Sequence, residues 1–91
     1  MKGLKNDSEK LRYELIPPKA IRELAKVLTY GAKKYAPNNW KKVRPFKSRY
    51  TGALLRHIEL WRNGEKLDSE SELSHLSHVL CNIVFLIEKE K

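Results

Sequence analysis

From Pro18 to Ile87 the apolar residues of this chain recur at intervals of three and four, and two polar stretches interrupt them. The first segment runs from Pro18 to about Tyr35, with Ile21, Leu24, Ala25, Leu28 and Ala32 on one stripe. Pro17 and Pro18 fit its start, because proline at the first turn gives up no helical hydrogen bond. Residues 36–47, APNNWKKVRPFK, have no periodicity and carry two prolines, so they read as a loop. Trp40 and Phe46 belong in such a loop only if they pack back onto the body or onto a ligand. A second helix is predicted over about 49–62, capped by Ser48 and closed by Asn63-Gly64, with Ala53, Leu54, Ile58 and Trp61 inward. After a polar turn, 63–69, a third is predicted from about Glu70 to Glu88, with Leu73, Leu76, Leu80, Ile83 and Ile87 as its stripe. No alternating pattern is long enough for a sheet, although a short strand near 4–16 or 40–46 is compatible with the sequence. The expectation is an all-α, three-helix unit behind an irregular N-terminal segment.

Such a unit is small. A single domain of 91 residues buries only roughly 60–65% of its unfolded surface, so its core is thin and a homo-oligomer would complete it. No apolar run approaches the ~18–20 residues that span a bilayer, and the polar start MKGLKNDSEK lacks a signal-peptide core. Cys81 is the single cysteine, which removes an intrachain disulfide and a cysteine metal site. Together these point to the cytoplasm. With 19 Lys+Arg against 11 Asp+Glu, the expected partner is anionic: a nucleotide, a phosphate or a nucleic acid. The basic residues are scattered rather than blocked, which disfavours nucleic acid.

Against this charge, residues 56–78 gather all three histidines and five carboxylates, Glu59, Glu65, Asp68, Glu70 and Glu72. His75 and His78 are neighbours on one helical face, Asn82 continues it, and His57 can approach them if the second and third helices form a hairpin. Two imidazoles so spaced can share a metal ion, although any one of the histidines taken alone is more often a hydrogen-bonded, half-buried side chain. Ser69 and Glu72 match a capping box, and Glu70 suits the same helix start. Glu65 and Asp68 lie in the turn, free to coordinate Mg²⁺ or Mn²⁺, whereas Glu59 reads as surface charge. Arg49, Arg56, Lys33 and Lys34 are candidate phosphate partners, and Tyr30, Tyr35, Trp40 and Tyr50 can stack on a base.

The runs KLRYELIPPKAIRELAKVLTYGAKKYAPNNW, SRYTGALLRH and RNGEKLDSESELSHLSHVLCNIVFLIE resemble the phage and prophage dATP/dGTP diphosphohydrolase family, itself similar to the all-α MazG-like NTP pyrophosphohydrolases. The resemblance implies metal-dependent attack of water on the α-phosphorus of a purine deoxynucleoside triphosphate, releasing monophosphate and pyrophosphate. It implies catalytic roles for His57, Glu65 and Asp68, and a divalent metal, Mg²⁺ or Mn²⁺, on His75, His78, Asp68 and Glu65. Tyr30, Lys33, Lys34, Asn39, Trp40, Arg49 and Arg56 would line the nucleotide side. Two departures stand out. The acidic pairs of MazG proteins are missing, with Glu72-Leu-Ser-His75 where one is expected, and position 72 is Glu where the family pattern has a small residue, often Gly. Two other functions remain open on the sequence: a non-catalytic nucleotide-binding module of the same fold, and a small nucleic-acid-binding protein.

Overall fold

The computed structural model describes residue 3 and residues 8–91, and among these the regular structure is all helical. Helix α1 spans Pro18–Lys34, α2 spans Phe46–Arg62 and α3 spans His75–Glu88. Among the described residues, short 3-10 turns at Tyr13–Leu15 and Asn39–Lys42 take the place of the strand allowed near 4–16 or 40–46, residues 4–7 lying outside the described residues. Pro17, extended at φ −62° and ψ 130°, hands the chain to Pro18, so α1 begins where the prolines predict.

The other two helix starts differ from expectation. α2 begins at Phe46 on Pro45, not behind Ser48; Arg49 N–H donates to Pro45 C=O at 3.1 Å and closes the first turn there. The early start draws Phe46 into an aromatic cluster. Its ring lies 4.8 Å from Tyr50, Tyr50 lies 5.1 Å from Phe85, and Trp40 stacks on Phe85 at 4.6 Å. Trp40 and Phe46 thus pack back onto the body.

α3 begins five residues late, at His75 rather than Glu70, and the Ser69/Glu72 capping box does not form. Asp68 wins the local competition instead. Its carboxylate accepts from Ser71 N–H at 2.8 Å, and its carbonyl accepts from Glu72 N–H at 2.8 Å. Glu72 then takes φ 61°, a left-handed conformation that no helix continues through. A Leu67–Ser74 bridge and a His75 N–H to Lys66 C=O bond of 2.9 Å tie the loop down, and Ser74 Oγ caps α3 by accepting from Leu76 N–H.

α2 and α3 form an antiparallel hairpin in constant register, Tyr50 meeting Phe85 at one end and His57 meeting His78 at the other. α1 lies against α3, where Ser77 Oγ donates to Glu23 at 2.9 Å beside buried Val27. The predicted stripes are rotated outward. Ile21 and Leu28 of α1 are exposed while Val27 is buried; Leu76, Ile83 and Ile87 of α3 are exposed while Val79 and Cys81 are buried. On α2, Ala53, Leu54 and Ile58 are half-buried but Trp61 is exposed. The physical reason is that α3 turns its polar edge, His75, Ser77 and Asn82, inward between the other helices. The accessible surface of 7738 Å² exceeds the roughly 5500 Å² expected of a compact monomer of 10.7 kDa. Part of the excess belongs to the exposed lead at residues 8–16, and part to these stripes.

Candidate functional site

A cavity of about 910 Å³ opens between the C-terminal half of α1, the 36–43 loop and the α2–α3 hairpin, within the size range of small-molecule sites. Of the sequence-predicted residues, Tyr30, Lys34, Asn39, Trp40, Arg49, Arg56, His57, Asp68 and His78 line it. Lys33, Glu65 and His75 do not; His75 is fully buried behind the wall.

The hairpin register brings the histidines together across 18 positions of sequence. His57 Nδ1 lies 2.8 Å from His75 Nδ1, and the His57 and His78 rings stack at 4.5 Å with an interplanar angle of 4°. Ligand atoms of His57, Asp68 and His75 fall within 4.8 Å of one another, a set of two imidazoles and one carboxylate that can hold a metal ion. Glu65 stands outside this set, its Oε2 2.6 Å from His75 Nε2. An ionised carboxylate only accepts, so Nε2 of His75 bears a proton, and in the neutral form of the ring the lone pair lies on Nδ1, facing His57. A carboxylate on the outer nitrogen is the usual orienting partner of a metal-binding histidine. His78 differs: its Nε2 is engaged with Ser71 Oγ at 2.7 Å. Ser71, which also anchors Asp68, carried no signal in the sequence, since its role depends on the irregular loop.

Burial, and then the neighbouring His78, push His57 below the ordinary imidazole range; burial does the same to His78. Burial alone would raise Asp68, but the Ser71 hydrogen bonds with His78 and His57 outweigh it and hold the carboxyl below its usual value. At neutral pH His57 and His78 are therefore neutral imidazoles beside the ionised carboxylate of Asp68. Burial pushes the cavity-lining Cys81 thiol up to about 12, which leaves it inert as a nucleophile.

Cations stand around the same cavity. Lys34 pairs with Glu70, which is held low chiefly by that contact. Arg49 donates to Arg44 C=O at 3.4 Å. Arg56 makes no ion pair among the described residues, and its guanidinium lies over Gly52, where an added Cβ would meet Nη1 at 3.2 Å. The aromatic cluster of Trp40, Tyr50 and Phe85 forms the opposite end of the cavity from the histidines. Phe85 was missed as a site residue because its spacing marks it equally as core.

Fold and site together define a small all-helical domain with a histidine–carboxylate cluster at one end of a cation-lined cavity and an aromatic cluster at the other. The chain belongs to the family described as dATP/dGTP diphosphohydrolase, N-terminal, whose model matches residues 1–91. It is 31% identical over 86 residues to a dATP/dGTP diphosphohydrolase of Salmonella phage PMBT28, an alignment covering 94% of this chain and 29% of that protein. The chain thus spans less than a third of that relative's length. No solved structure matches the chain.

Proposed function

We propose that the chain serves hydrolysis of a purine deoxynucleoside triphosphate to monophosphate and pyrophosphate, with a divalent metal on His57, Asp68 and His75. The observation that carries this reading is the coexistence, in and behind one cavity wall, of a three-residue ligand set, unpaired Arg56 and an aromatic cluster. The name of the phage relative supports the substrate class. A bound divalent ion would polarise phosphate oxygens and lower the pKa of its water. The chain's own residues do the rest. Arg56 and Arg49 bind phosphate oxygens, Lys34 joins them by exchanging Glu70 for phosphate, Trp40 flanks the nucleoside, and Tyr30, its ring 6.5 Å from that of His78, stands at the phosphate end. Asp68, ionised, and His57, neutral, are the lone-pair bearers nearest the reacting end, available to a metal or to a proton. Two imidazoles to one carboxylate favour Mn²⁺ over Mg²⁺. The chain acts as a homo-oligomer, a reading supported by the outward apolar stripes of α1 and α3.

One feature favours a second reading, a nucleotide-binding module without turnover: the ligand set contains a single carboxylate, Asp68, where a hydrolase of this chemistry would gain from more. A metal-by-nucleotide panel separates the two. Pyrophosphate release from dATP and dGTP that EDTA stops and Mn²⁺ restores is the expected result, lost in His75→Ala. Saturable nucleotide binding with no pyrophosphate would leave only the module. Duplex DNA binding that weakens steeply with salt, indifferent to nucleotide, would overturn both.

A further inference from the structure

Asn82 is buried, only 7% exposed, yet its carboxamide forms no hydrogen bond with any described residue. A buried amide normally finds partners, because leaving one unpaired costs roughly 1–3 kcal/mol. The hairpin register explains the vacancy. With Tyr50 against Phe85 and His57 against His78, the α2 residue opposite Asn82 is Ala53, which offers no polar atom. Both Asn82 and Ala53 line the cavity. No buried side-chain nitrogen or oxygen among the described residues is sealed off without a partner, so the amide keeps its residual exposure, and that exposure faces the cavity. A small residue therefore opens space in front of an amide that has nothing in the protein to bind.

Its place along α3 says what belongs there. Asn82 lies one turn beyond His78, about 6 Å along the axis, and about 4.5 Å short of Phe85. One end of the cavity carries His57, His78, Asp68 and Arg56, suited to phosphate; the other carries Trp40, Tyr50 and Phe85, suited to a base. We infer that Asn82 is a specificity-determining residue that hydrogen-bonds the nucleoside portion of the ligand, not its phosphates. The inference rests on the nucleotide reading above. An amide supplies one acceptor and two donors, which match a sugar hydroxyl or a base edge, whereas the phosphate oxygens already have the cations.

Calorimetry in Mn²⁺ tests it, with α,β-methylene-dATP and inorganic tripolyphosphate as probes against wild type and Asn82→Leu. Leucine keeps the volume and removes the polar group. The expected result is binding of the nucleotide analogue weakened by about tenfold or more, tripolyphosphate affinity within about twofold, and an unliganded Tm equal to or above wild type. Asn82→Ala repeats the measurement if circular dichroism shows the leucine variant unfolded. Unchanged nucleotide affinity, or an equal loss for both probes, overturns the assignment while leaving the nucleotide reading standing. Wild type that fails to bind the nucleotide analogue removes that reading and this inference together. A 2′,3′-dideoxy analogue refines a positive result: no effect of the substitution on it places the contact on the sugar, an undiminished effect on the base.

Discussion

Glu72 holds a backbone conformation, φ 61°, that costs an L-residue roughly 1–2 kcal/mol and a glycine almost nothing. Glycine would regain unfolded-state freedom worth about 0.4–1 kcal/mol, so Glu72→Gly should be net stabilising by up to about 1 kcal/mol. A Tm raised by a few degrees is the expected readout. A lowered Tm would show that the Glu72 side chain contributes more than its backbone costs. This position was legible by resemblance, which gave a small residue there, but composition read the same glutamate as a capping box. The residues of the site were legible as types and not as pairs. His57, Asp68 and His75 could be named from the sequence, whereas the Glu65–His75 and Ser71–His78 bonds depend on how residues 63–74 fold back, which no periodicity encodes.

Among the elements, α1 was readable to within a residue because Pro17 and Pro18 fix its start sterically. α3 was misplaced by five residues because Leu73 continues the apolar spacing through a segment whose backbone Asp68 has already turned aside. The rotation of the stripes has its own consequence. Leu76, Ile83 and Ile87, one and two turns apart on the outer face of α3, lie exposed at 44%, 41% and 57%. A second copy of the chain is the occupant we expect there. These stripes account for part of the roughly 2000 Å² of excess surface, and a standard interface takes roughly 800 Å² from each partner. Light scattering should give at least twice the 10.7 kDa chain mass for wild type and the single-chain mass for Ile83→Glu. A wild-type monomer at high concentration would refute the association.

At the scale of the molecule, the histidines set how stability follows pH in the metal-free protein. His57 and His78 are depressed in the folded state, mainly by burial, so below the ordinary imidazole value, about 6.5, the unfolded chain takes up protons first. Stability is therefore full above that value and falls as the solution is acidified through it toward the lowered folded values. Asp68 and Glu70, held low when folded, lose their contribution only in more acid solution, below the ordinary carboxylate range. Tm measured in EDTA should decline from about pH 7.5 to pH 5.5, and a Tm that rises over that interval would reverse the assignment of neutral imidazoles. The interior that produces this behaviour is half polar: His75, Ser77 and Asn82 are buried alongside Val27, Val79 and Cys81. A domain whose centre also walls a cavity would be completed by a ligand bound there, since such a guest would supply packing and hydrogen bonds that the chain itself omits. At a hundredfold excess over its dissociation constant a ligand adds about 2.7 kcal/mol, a large share of what so small a fold can muster. The folded population, and with it resistance to proteolysis, would then rise and fall with the supply of that ligand.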